Sequence, residues 1–168
     1  MLPLLAECSG PVGPALAHAV AYTLGARHQE SRIAAVDAFL TLAARPEPFA
    51  PEVGAALAGL CADGVVKLSR VVPALADAHR AGASVAVWEI LAVVLPVLLS
   101  PGSGHGPSRD PGSSGELRGL PDLLELATQV AGAVQARVEV DGLAGVASRS
   151  GSTRLIKEAK RLRSVLTV

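Results

Sequence analysis

The residues of this chain best suited to chemistry are a thiol and an imidazole on neighbouring apolar stripes. Cys61 and His79 fall on the inner faces of two consecutive helical segments. Such a pair is a nucleophile with its base, or half of a metal site. Both lie among Leu, Val and Ala, where a buried thiol behaves as a small, inert hydrophobe. Nothing nearby offers a third orienting group or an oxyanion donor. No catalytic residue is assigned, and the chain is not expected to be an enzyme.

The remaining histidines, His18, His28 and His105, stand outside any HxxxH or HExxH pattern and beside no paired cysteine. A zinc site takes three or four protein ligands at closed spacing, so no metal and no cofactor is expected. Gly102, Gly104 and Gly106 superficially imitate a phosphate loop. A true one follows a strand and leads directly into a helix, whereas this one runs into more Pro, Ser and Gly. It reads as a linker.

Asp37 falls one turn after Ile33 at the edge of a buried stripe, and Glu89 is embedded in the most apolar helix. Buried carboxylates are paired or neutralised. Asp37 is read as a rung of a charge ladder, with Arg32 or Arg70 as its partner.

The last helix carries the main charge feature. Arg154, Lys157, Lys160, Arg161 and Arg163 place five positive charges in ten residues, opposed by Glu158 alone. At 100° per residue, Leu155, Ala159, Leu162 and Leu166 cluster within about 60°, and the cations take the remaining arc. A terminal capping helix needs such a polar outside. The same five residues are the candidate interaction surface, for an acidic protein or a phosphate backbone. No aromatic lies near them to stack on single-stranded bases, which ranks nucleic acid below protein as a partner.

The elements that position these residues read as helices throughout. A first helix spans Pro14 to Leu24 and stops at Gly25, taken as a left-handed cap. A second covers Glu30 to Arg45 with Ile33, Val36, Leu40 and Ala43 inward, and Pro46 ends it. Pro51 suits the first turn of a third, striped by Val53, Leu57, Leu60 and Cys61 and closed by Gly64. Leu68, Val71, Val72, Leu75, Ala76 and His79 repeat at helical spacing in the fourth. Gly82 follows it, and Pro73 inside it should produce a kink. Ser84 is expected to cap a fifth helix, apolar nearly all round as a central helix should be.

Residues 100–115 read SPGSGHGPSRDPGSSG, a flexible insertion placed at 100–116. Periodicity resumes with Leu120, Leu123, Leu124, Ala127, Val130, Ala131 and Val134. A short helix follows near Leu143 to Arg149, and Ser152 caps the last one. One apolar position from each amphipathic helix, Ile33, Leu68, Leu120 and Leu155, gives intervals of 35, 52 and 35 residues. Without the sixteen insertion residues the middle interval is 36. Recurrence at that length is the mark of stacked helix pairs, each burying its face only on its neighbours. The expected fold is all-α: a short α-solenoid of about eight helices in one domain, 1–168.

Composition agrees. Half of the 168 residues are hydrophobic and 2% are aromatic, so the apolar mass is Ala, Leu and Val, which favours helix packed on helix. Fifteen basic and fifteen acidic residues cancel, so no overall field draws the chain to nucleic acid or membrane. The run from Val85 to Leu99 contains Glu89 and Pro96 and falls short of the ~20 apolar residues of a bilayer span. Two cysteines, Cys8 and Cys61, are too few for a disulfide framework, and a reduced cytoplasm is the expected setting. The N-terminus has no positive n-region and makes a poor signal peptide.

Four stretches carry a resemblance: ESRIAAVDAFLTLAAR, GVVKLSRVVPALADAHRAG, ELRGLPDLLELATQVAG and LAGVASRSGSTRLIKEAKRLRSVL. From roughly Tyr22 onward, the insertion aside, the chain resembles the C-terminal part of large bacterial proteins. These are mostly actinobacterial, HEAT/armadillo-like, and form an uncharacterised family. The twelve arginines against three lysines fit a GC-rich genome. The resemblance implies fold and a scaffold-like role. Those proteins are much longer, so it also implies a fragment or a stand-alone relative. The expected function is a non-catalytic scaffold binding another protein, with a nucleic-acid-binding accessory using the basic helix as the alternative. Leu2, Leu4, Leu5 and the first helix, with no preceding repeat to cover them, point to self-association at that end.

Overall fold

Pro14, Pro51 and Pro121 each fall in the first turn of a helix, where the missing N–H has no intrahelical partner to lose. The computed structural model describes residues 13–45, 49–100, 119–138, 140–149 and 152–167. Among these are eight helices: α1 (Pro14–Leu24), α2 (Gln29–Ala43), α3 (Ala50–Ala62), α4 (Leu68–Arg80), α5 (Ser84–Leu99), α6 (Leu120–Val134), α7 (Leu143–Arg149) and α8 (Thr153–Leu166). No strand occurs among the described residues. The all-α expectation holds. The insertion beyond Ser100, the leucines at 2, 4 and 5, Cys8 and His105 lie outside the described residues.

Each helix packs on the helix two places along. α1, α3, α5 and α7 form one row, and α2, α4, α6 and α8 the other. The rows meet where α1 packs on α2 and α4, α5 on α4 and α6, and α7 on α8. The buried side chains make one cluster through all eight helices, with thirteen alanines interleaved among Leu, Val and Ile. Small side chains permit close approach. On α3, a Cβ added at Gly54 would stand 3.1 Å from the Ile90 backbone of α5. Phe39 and Phe49 close the α2–α3 connection with ring centroids 6.3 Å apart.

Four expectations about local structure are corrected. Gly25 does not adopt the left-handed conformation; its φ is −92°. Its place is set by packing, since an added Cβ would lie 2.1 Å from a Val66 methyl. Gly64 and Gly82, at φ 69° and 99°, do make left-handed stops. Ile33 does not face the core: it is 52% exposed, and α2 buries Ala35, Val36, Ala38, Phe39 and Leu42 instead. Phe39 carries more apolar area than Ile33, and the alanines beside it let neighbouring helices approach. The first of the intervals of 35 therefore rests on a residue outside the core. Leu68, Leu120 and Leu155 are buried as expected.

Ser84 is not a cap. Ala83 is the N-cap of α5 and no side chain caps it. Glu89 is exposed rather than embedded. It lies with Val85 and Val97 on the one outward seam of a helix otherwise covered by α3, α4, α6 and α7. The run around it is thus a central helix with a single wet edge. No described helix is long and apolar enough to cross a membrane.

Candidate functional site

α8 carries the candidate surface, and local sequence starts it where expected. The Ser152 hydroxyl accepts from the Leu155 N–H at 3.4 Å, satisfying one of the unpaired donors of the first turn. Leu155, Ala159, Leu162 and Leu166 are buried against α6 and α7. All five cations are exposed, and they differ in what they engage. Arg154 spans to α6, its Nη2 lying 2.6 Å from Asp122 and 3.5 Å from Glu125. Arg161 pairs at 3.3 Å with Glu158, whose side chain is 7% exposed. Lys157, Lys160 and Arg163 are exposed and have no ion-pair partner among the described residues.

Sequence reasoning missed a neighbour of this surface. α6 ends at Val134, and Gln135 turns the chain with a left-handed φ of 52°. The connection to α7 then exposes Arg137 and buries Val140. Together with Leu143 of α7 and with Arg163 and Leu166 of α8, these line a cavity of about 400 Å³. Arg137 sits in a stretch without helical period, so nothing in its spacing marked it.

The other candidates are not brought together. His79 engages Ser84, with Nδ1 and Oγ 2.9 Å apart, and no hydrogen bond joins it to Cys61 among the described residues. The pairing clasps the turn between α4 and α5. Burial pushes the Cys61 thiol up from 9.0 to about 11, the reverse of what a nucleophile needs. Asp37 is exposed, and among the described residues no ion pair joins it to Arg32 or Arg70 as expected. Arg32 instead donates to the Ala26 and Arg27 carbonyls at 2.9 and 3.1 Å, tying down the end of the preceding turn. A buried face of alanine and phenylalanine leaves Asp37 no inward position on α2. His18 and His28 are exposed. No group of three potential metal ligands converges among the described residues.

No protein-family model, curated protein or solved structure matches this chain.

Proposed function

We propose that the chain is a non-catalytic scaffold: a short HEAT/armadillo-like α-solenoid of stacked helix pairs whose surface binds another protein in the cytoplasm. The supporting observation is that every described helix packs on the one two places along, in two rows. In such a stack each unit draws its stability from its neighbours, so the outer face is free to serve recognition. Kinship with the HEAT/armadillo-like bacterial proteins is part of the proposal and rests on the four stretches quoted above. Cys61, free and buried, suits a reducing compartment.

Lys157, Lys160 and Arg163 are the cations of α8 with no ion-pair partner among the described residues, and they fit an acidic protein surface. Affinity capture with the wild type and with the triple Lys157→Glu, Lys160→Glu, Arg163→Glu variant tests this. A partner retained by the wild type and lost by the folded variant is expected. A protein that holds no partner under varied conditions overturns the reading. If the triple variant instead abolished a salt-dependent shift of DNA or RNA, nucleic acid would replace protein as the partner. With Arg154 and Arg161 already engaged by carboxylates, the protein partner is the better match.

Self-association through the first pair belongs to the same proposal. Tyr22 on α1 is 54% exposed and Ile33 on α2 is 52% exposed. Sedimentation velocity should show an assembly that Tyr22→Lys with Ile33→Lys dissolves; identical sedimentation of both proteins would remove that contact.

A further inference from the structure

The cavity between the α6–α7 connection and the end of α8 has a chemistry of its own. Arg80, Arg154 and Arg161 each hold a carboxylate. Arg137 and Arg163, which line the cavity, hold none among the described residues. Both are exposed, while Val140, Leu143 and Leu166 line the same hollow with buried side chains. None of the described lining residues is acidic, and the exposed Asp141 close by does not line it.

This combination selects among ligands. A bare polyanion would lose hydration over the apolar residues and gain nothing there. A purely apolar ligand would leave two guanidinium groups without use. We infer that the cavity binds the carboxylate of a compact organic acid. Its charge engages Arg137 and Arg163, and its apolar body rests on Val140, Leu143 and Leu166. The planar fork of a guanidinium donates paired N–H groups to the two oxygens of a carboxylate. The volume of about 400 Å³ lies within the roughly 300–1,000 Å³ usual for small-ligand sites. The shared chemistry, one carboxylate on an apolar group, has two sources: a free acid, or the C-terminus of a peptide ending in an apolar residue. The assignment does not rest on the scaffold reading; Arg163 belongs to both, and Arg137 to the cavity alone.

The test is an amide-shift titration of the whole chain by two-dimensional NMR. The probes are octanoate and acetyl-Gly-Leu, their uncharged amides, and inorganic phosphate. Saturable shifts at Ala144 and Thr167, which also line the cavity, are expected with at least one of the two acids. The amides should bind at least tenfold more weakly. Arg137→Gln and Arg163→Gln should each weaken binding roughly tenfold, the worth of a hydrogen bond to a charged group. Both side chains are exposed, so circular dichroism should show the fold unchanged. Ala144→Phe keeps both arginines, fills the hollow and should abolish binding. Octanoate alone binding identifies a free acid, and acetyl-Gly-Leu alone a peptide terminus. Equal binding of acids and amides overturns the inference. So do phosphate binding as strong as octanoate, binding retained by Ala144→Phe, and the absence of any saturable shift.

Discussion

Cys61 illustrates how burial alone decides what a reactive side chain can do. Desolvation penalises the thiolate, so its pKa stands at about 11 against an ordinary 9.0. Iodoacetamide at neutral pH, followed by mass spectrometry at the peptide that carries Cys61, should therefore modify that thiol far more slowly in the folded protein than in the denatured chain; equal rates would contradict the burial. The same shift sets a stability profile. Below about pH 9 both states keep the proton and the site adds no pH dependence. Between 9.0 and about 11 the unfolded chain deprotonates first, so stability falls as pH rises, by at most about 3 kcal/mol. Cys61→Ala has no proton to lose. Urea denaturation of both proteins on either side of that window should show a steeper loss for the wild type, and equal losses would refute it. Glu158 raises the converse case of a buried charge with one partner. Arg161→Ala removes that partner and should cost about 1 kcal/mol, the low end of the range for an orphaned charge because Arg161 is largely solvated. Adding Glu158→Leu should recover the loss, as urea denaturation of the single and double variants would show.

Within a single helix, Gly54 and Gly59 of α3 look alike in sequence and behave oppositely in space. An added Cβ at Gly54 would sit 3.1 Å from Ile90 Cα, Ile90 O and Val93 Cβ, whereas at Gly59 nothing lies within 4 Å. Gly59→Ala should stabilise the protein by up to about 1 kcal/mol through helix propensity. Gly54→Ala should destabilise it by about 1–3 kcal/mol, because α3 and α5 must move apart. Thermal unfolding of the two variants checks the signs, and a shared sign would mean that the α3–α5 approach is not tight. The contrast also shows what the sequence makes legible. Element ends were readable because their signals are local: Pro14 and Pro51 at starts, Gly64 and Gly82 at stops, Ser152 at a cap. The buried face of α2 was not, because a helix with so many alanines has little contrast around its circumference. Only its neighbours, and Phe49 beyond the next turn, select the face bearing Phe39. The cations of α8 were visible as a set, yet the engagement of Arg154 by Asp122 joins residues far apart in the chain. Arg137 carried no periodic signal at all, so its place beside the same cavity as Arg163 emerges only in the folded chain.

Over the whole molecule, zero net charge and a core of small aliphatic residues leave packing between neighbours as the main source of stability. That stability should be uneven along the chain, because the helices differ in how extensively others cover them. α5 is packed by α3, α4, α6 and α7, whereas the main contacts of α2 are with α1 and α4. In a stack governed by nearest neighbours, opening spreads inward from the least covered units and reaches the centre last. Hydrogen exchange followed by mass spectrometry should then find the slowest amides in α5 and in the helices against it, α3 and α6. Peptides from α2 and from the short α7, each packed by two other helices and least covered, should exchange earlier, at free energies well below that of global unfolding. If amides of every helix exchanged together at one free energy, the eight helices would open as a single cooperative unit. The two rows would then be a bundle in effect, and the solenoid reading would lose its energetic basis. Self-association at the first pair would alter this order in a concentration-dependent way, protecting α1 and α2 as protein is added and leaving α5 unchanged.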